Sequence, residues 1–289
     1  MKMKEVELKV KNFYEELPFN FRGTADSEAR RIRKCNAVEI YSDLDRLLKR
    51  HKNQELLDVG CGTGWFTNSI GHHYQLKAYG IDICIKAIER AKKVSEILGI
   101  SQKSRFVNCS LFEMAFLRKF KFVNSLGCLH HTRDLNASLL EIAGFVERGG
   151  YIYIGLYHKY GRQPFLELFK GFREKLQNSG QLDSVEIREA RSIFKSLNPQ
   201  IKDELFLDSW FRDQVLHPHE TQHTFKELFG ILKTIGFKVI STSINQFKPI
   251  TQIKELFEKE KEYFEISREK NLVSKIYFPG FFTVLAERL

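Results

Sequence analysis

A chain of 289 residues with 43% hydrophobic content is long enough for one large domain, or one domain with an insertion, around a sizeable core. No apolar run approaches the roughly 18 residues of a membrane-crossing helix. The charged opening Met1-Lys2-Met3-Lys4-Glu5 lacks the apolar centre of a secretory leader. Cys35, Cys61, Cys84, Cys109 and Cys128 show neither C-x-x-C pairing nor metal-ligand spacing, so reduced thiols in the cytoplasm are expected. A net charge of +10 raises the question of an anionic partner. The densest basic run is Arg30-Arg31-Ile32-Arg33-Lys34; elsewhere lysines alternate with glutamates, as in Glu258-Lys259-Glu260-Lys261-Glu262. Such alternation reads as a solvated helix face and weighs against nucleic acid as the partner.

Residues 1–50 read as a helical cap. Apolar Val6, Leu8, Val10 and Phe13 mark a first helix, and Leu17-Pro18-Phe19-Asn20 a turn. A second helical pattern covers about 27–49, with Ile32, Ala37, Val38, Ile40, Leu44, Leu47 and Leu48 as its buried stripe. From Glu55 strands and helices alternate, which implies a mostly parallel sheet with right-handed crossovers. Strands are expected at 55–59, 78–82, 105–109, 120–127 and 151–156, with helices at 65–72, 85–98 and 135–146. Gly99 is the stop of the 85–98 helix. Residues 157–222 then read as a helical, aromatic and basic insertion over the strand C-terminal ends. The core resumes with Thr224 as N-cap of a helix to Ile235, and closes with strands 238–244 and 281–286 as an antiparallel, hairpin-like edge.

The chemistry concentrates at Leu56-Leu57-Asp58-Val59-Gly60-Cys61-Gly62-Thr63-Gly64. A buried strand that ends in a glycine turn and feeds a helix lets a ligand approach bare backbone. The spacing is G-x-G-x-G rather than the G-x-G-x-x-G of a pyrophosphate site, and Asp58 ahead of it would repel pyrophosphate. About 20 residues on, Asp82 ends a second strand in position for a ribose diol.

These residues resemble a class I S-adenosylmethionine-dependent methyltransferase. Asp58 to Gly64 is similar to that family's first motif and Gly80-Ile81-Asp82 to its second. Ser125-Leu126-Gly127-Cys128-Leu129-His130-His131 resembles the fourth-strand motif, and Gly149-Gly150-Tyr151-Ile152-Tyr153-Ile154-Gly155 the turn into the fifth strand. The resemblance implies a Rossmann-like, seven-stranded, mostly parallel α/β sheet with helices on both faces. It adds an N-terminal helical cap (1–50) to a core at 51–289 that carries a lid insertion at about 157–222. It implies S-adenosylmethionine as cofactor, held by Asp58, Gly60, Cys61, Gly62, Thr63, Gly64, Asp82, Ile83, Cys109, Ser110 and Gly127. Cys109 stands where the family commonly has an acid for the adenine amino group, so Asn108 or a backbone group would take that contact.

For a hydroxyl acceptor a base at the mouth of strands four and five assists the transfer. His130, His131, Tyr157 and His158 are the candidates. Arg162 reads as an anion clamp or a surface ion pair. His217-Pro218-His219 with Glu220 and His223 lacks the spacing of a helical metal pair, so it reads as a loop over the pocket and no metal is expected. Trp65 and Phe66 read as core aromatics. The expected function is methyl transfer to a small or carrier-linked molecule, at oxygen. RNA methylation and a non-catalytic binding protein of the same fold are the alternatives.

Overall fold

The computed structural model describes residues 2–289, with side chains from Glu5 onward. Three helices come first: α1 (Lys2–Glu16), α2 (Ala25–Lys34) and α3 (Ser42–Arg50). The core follows as β1 (Glu55–Val59), α4 (Trp65–His73), β2 (Lys77–Asp82), α5 (Ile85–Leu98), β3 (Ser104–Asn108), β4 (Phe120–Leu126), α6 (Leu135–Gly144) and β5 (Val146–Tyr157). Four helices, α7 (Lys159–Glu167), α8 (Lys170–Ser179), α9 (Ser184–Leu197) and α10 (Glu204–Phe211), precede α11 (Phe225–Thr234). The chain ends with β6 (Phe237–Thr242), α12 (Ile253–Lys259), α13 (Tyr263–Arg268) and β7 (Phe281–Arg288).

The strands form one 7-stranded sheet in the order β3-β2-β1-β4-β5-β7-β6. All pairings are parallel except those of β7, which runs antiparallel between β5 and β6. β1 and β2 are apolar on both faces because helices cover both. On one side Leu57, Val123 and Ile154 pack with Leu139 and Leu228 from α6 and α11. On the other, Leu56 and Phe122 meet Leu44, Leu48 and Ile70 from α3 and α4. The strand order reverses between β1 and β4, and open α/β sheets bind ligands outside the strand ends at that point.

Four expectations need correction. The 27–49 pattern is two helices, because Asn36 Oδ1 accepts the Val38 N–H (3.0 Å) and turns the chain. Ile40 in that connector is 72% exposed rather than part of a buried stripe. β5 starts at Val146, since Gly149 and Gly150 lie in a register irregularity opposite Phe120–Phe122 and not in a turn before the strand. The last two strands pair antiparallel, yet α12 and α13 connect them, so the edge is no hairpin.

The solvated-face reading fails at Glu260, which is 2% exposed. Its carboxylate accepts the Phe225 N–H at the start of α11 (2.5 Å) and meets His158 Nε2 (2.9 Å). The helices of 159–216 enclose an apolar cluster of their own, with Phe165, Phe169, Phe194 and Phe211 at its centre.

Candidate active site

A cavity of about 490 Å³ opens over the C-terminal ends of β1, β2, β4 and β5 and is roofed by α1 and by the turn after α10. Its floor is the glycine turn. Gly60, Gly62 and Gly64 all have positive φ (75°, 52° and 78°), a region that disfavours residues with a Cβ. They do different work. A Cβ on Gly60 would fall 2.4 Å from the Cys128 Cβ, and one on Gly64 2.6 Å from that of Ala91. At Gly62 the same position has nothing within 4 Å. Gly60 and Gly64 therefore let protein pack against protein, and Gly62 keeps space open. Gly64, expected at the cofactor, does not line the cavity.

Asp82 ends β2 with its carboxylate fixed by two backbone donors, Gly62 N–H and Cys84 N–H, both at 2.8 Å. Each oxygen keeps a lone pair for an incoming hydroxyl. Asp58 is turned inward: Asn124 donates to one oxygen (2.7 Å) and Thr67 to the other (2.5 Å). Burial raises its pKa to about 6, against the pull of those two donors. Asn124 and Thr67 are thus the partners of Asp58. Cys61, Thr63, Ile83, Cys109, Ser110 and Gly127 also line the cavity. Asn108, one of the alternatives for the adenine contact, does not line the cavity, and its Nδ2 donates to the Asp82 carbonyl (2.8 Å). Trp65 and Phe66 are half-buried, packing against core clusters while also lining the cavity, and Arg31 lies over the Trp65 ring at 3.5 Å.

At the other end the two adjacent histidines differ in tautomer. His130 Nδ1 accepts the Tyr157 backbone N–H (3.3 Å), which puts its proton on Nε2, and Nε2 is sealed without a partner. His131 Nδ1 lies 2.9 Å from the His219 carbonyl, which can only accept, so Nδ1 carries the proton and Nε2 keeps a lone pair. No side chain or backbone group bonds that Nε2. Burial lowers the pKa of both histidines, with Asp213 working in the opposite direction at His131. His131 is therefore neutral, with its basic nitrogen free.

Around it stand residues from distant parts of the chain. Tyr14 of α1 donates to Asp213 (2.7 Å), and Gln214 donates to the Tyr157 hydroxyl (2.7 Å) and to Asp213 (2.7 Å). Asp213 and Gln214 sit on a π-helical turn, Arg212–Leu216, that continues α10, a type of irregularity often found at functional sites. Burial raises the pKa of Tyr14 and Tyr157 well above 10, so both act as hydrogen-bonding groups rather than bases.

Two expected site residues lie elsewhere. His158 does not line the cavity: it is fully buried, accepts at Nδ1 from Gly161 N–H (3.3 Å) and pairs with Glu260, so its role is structural. Arg162 is neither a substrate clamp nor a surface ion pair. It is 0% exposed and grips Glu220 through Nε (3.0 Å) and Nη2 (2.8 Å), with Gln214 on its Nη1.

Residues 57–154 match a family model described as a methyltransferase domain. This stretch is a methyltransferase domain, and the sheet around it has the class I methyltransferase fold. The fold agrees with solved structures of low sequence identity. Magnesium protoporphyrin IX methyltransferase from Synechocystis PCC 6803, with S-adenosylhomocysteine bound, aligns at a TM-score of 0.51 and 16% identity over 87% of this chain and 82% of that one. PKMT2 from Rickettsia typhi aligns at 0.56 and 15% identity over 82% of this chain and 49% of that one. Among curated proteins, an uncharacterized protein of Synechococcus sp. is 27% identical over 200 residues, 65% of this chain and 48% of its own length. The tRNA U34 carboxymethyltransferase of Vibrio cholerae is 32% identical over 110 residues, 37% of this chain and 34% of its own. The chain thus spans less than half the length of these curated relatives. Among the described residues no helix is long and apolar enough to cross a membrane.

S-adenosylmethionine fits this methyltransferase domain: the open Gly62 position admits a ligand against bare backbone, and Asp82 keeps lone pairs for a diol.

Proposed function

We propose that this chain transfers a methyl group from S-adenosylmethionine to a hydroxyl of a small molecule. The observation that carries the reading is His131: a neutral imidazole with an unpartnered Nε2 beside the cavity, opposite the glycine turn and Asp82. The bound cofactor supplies an electrophilic methyl, so a new oxygen–carbon bond forms as the carbon–sulfur bond breaks and its electron pair stays on the sulfur of released S-adenosylhomocysteine. Asp82, Gly62 and the residues at 109–110 hold and orient the nucleoside, and most of the acceleration comes from that positioning. His131 Nε2 takes the acceptor proton, and the His219 carbonyl and the facing His217 ring hold the imidazole in place. α1 and the Arg212–Leu216 turn close over the cavity and exclude water.

The similarity to a tRNA carboxymethyltransferase favours a second reading, an RNA acceptor. Purified protein tested by calorimetry with S-adenosylhomocysteine, then by turnover against hydroxylated small molecules, carrier-linked acceptors and transfer RNA, separates the readings. Cofactor binding with turnover of small hydroxyl compounds supports ours. Turnover of transfer RNA alone replaces it, and binding without turnover of any acceptor identifies a non-catalytic binding protein.

A further inference from the structure

α1 does not pack the way a surface helix normally does. Val6, Val10 and Tyr14, spaced by four, form its apolar face, and all three line the cavity. No described residue of α1 is fully buried; Tyr14 packs on His131 and His217, while Val6 and Val10 border cavity space. Ala37, Ile40 and Tyr41 from the connector between α2 and α3, and Phe66 of α4, line the same cavity. Ile40 lines the cavity and is 72% exposed, which places it at the mouth. The Val6 and Val10 side of α1 and this apolar lip gain stability when something apolar lies between them.

The charges lining the cavity point the same way. Glu7, Asp58, Asp82 and Asp213 are acidic, against two cations, Arg22 and Arg133. Arg22 is partly engaged: its Nη2 donates to Asn20 (2.6 Å) and its guanidinium lies 3.9 Å over the Phe206 ring, while its Nε is buried without a partner. Arg133 is exposed, so its charge is screened by water. Acids outnumber cations along this lining, so an anionic acceptor would meet a net repulsive field.

We infer that the acceptor is an uncharged molecule whose hydroxyl meets His131 and whose long apolar tail leaves between Val6 and Val10 of α1 and Ile40. This rests on the proposed methyl-transfer reading and narrows its acceptor from hydroxyl compounds in general to neutral, apolar-tailed ones.

A series of 4-alkylphenols with tails from one to ten carbons, given to the full chain with S-adenosylmethionine, tests it. The acceptor KM should fall about fourfold per added methylene while the tail lies inside the opening, then level off beyond Ile40. Ile40→Asp alters an exposed side chain and leaves the core intact. It should raise KM for the long-tailed phenols tenfold or more, with little change for 4-methylphenol and none in S-adenosylhomocysteine affinity. A flat dependence on tail length, equal effects of Ile40→Asp on short and long tails, or a preference for alkyl phosphates or transfer RNA over the phenols would overturn this inference. Loss of S-adenosylhomocysteine binding in the wild-type chain would overturn the methyl-transfer reading with it.

Discussion

The His217 ring lies almost flat on that of His131, with centroids 3.6 Å apart and planes inclined by 29°. His217 Nδ1 accepts the His219 N–H (3.1 Å) and its Nε2 is buried without a partner, so it stays neutral, its pKa pushed well below 6.5 by burial. A neutral ring on one side and low-dielectric packing around it both oppose a charge on His131. The basic form of His131 therefore persists to pH values below 6.5.

From this follows a pH profile. The base acts when deprotonated, and its pKa is lowered, so kcat/KM should stay level from pH 8 down to about 6.5 and fall only below that. His131→Gln should reduce kcat by about 10²–10⁴-fold and remove the acid limb. His130→Gln should leave the acid limb in place, because His130 Nε2 already carries its proton. A profile unchanged by His131→Gln would assign the base elsewhere.

What the sequence made legible is local. The glycine turn, Asp82, the 85–98 helix with its Gly99 stop and the alternation of strands and helices all follow from short runs whose own backbone needs define them. Tyr14 and Asp213 are 199 residues apart and meet only because α1 folds over the turn after α10. No short-range signal marked Asp213, because Leu205 to Leu216 also carries Asp208, Ser209, Arg212 and Gln214. Glu260 misled for a different reason. Its Lys and Glu neighbours make the run look solvated, and burial is decided by where α11 begins and where His158 lies. His130 and His131 are identical in sequence terms, and only the backbone groups at Tyr157 and His219 separate their tautomers.

The three glycines of the turn should separate under substitution. Gly62→Ala adds a Cβ into open space at positive φ, costing about 1–2 kcal/mol of stability. Its main effect should be on S-adenosylhomocysteine affinity, through the space the ligand needs. Gly60→Ala pushes into Cys128 and should destabilise more strongly, in urea unfolding, than Gly62→Ala does. Asp82→Ala should weaken S-adenosylhomocysteine binding by about 1.5–3 kcal/mol in calorimetry, since a charged acceptor is removed. Equal affinity in wild type and Asp82→Ala would remove the ribose contact from the site.

Glu220 predicts an acid limit on stability. Burial alone would raise its pKa, yet Arg162 and Arg173 overcome that and hold it down at about 2. A carboxylate held below its unfolded value near 4.5 stabilises the fold above that value, and the contribution is lost as pH falls from about 4.5 toward 2. Urea midpoints should drop across that window. In Arg162→Met, Glu220 loses its bidentate partner inside the protein, with a cost of about 3–5 kcal/mol. The acid-dependent loss should shrink in that variant, because the charged form of Glu220 is no longer favoured to the same degree.

The last expectation concerns how the cavity opens. α1 is fastened over it at separate points: Tyr14 donates to Asp213, Arg212 Nη2 meets Glu16 (2.5 Å), and Glu15 accepts the Ile85 N–H (2.7 Å) at the start of α5. The Glu16 pair is half in water and contributes little, about 0–1 kcal/mol. The Tyr14 hydroxyl is buried and bonded to a carboxyl group, so it should dominate. Tyr14→Phe keeps the ring against His131 and His217 and removes only that bond. Hydrogen exchange at residues 5–16 should then speed up by tenfold or more, with β1 unchanged, and KM for the acceptor should rise more than kcat falls. Adding S-adenosylhomocysteine to wild type should slow exchange in α1 and in the Arg212–Leu216 turn, as closure over a filled site requires. If α1 exchanges as slowly as β1 in wild type and in Tyr14→Phe alike, with no response to S-adenosylhomocysteine, the helix is a fixed wall and the acceptor enters by another route.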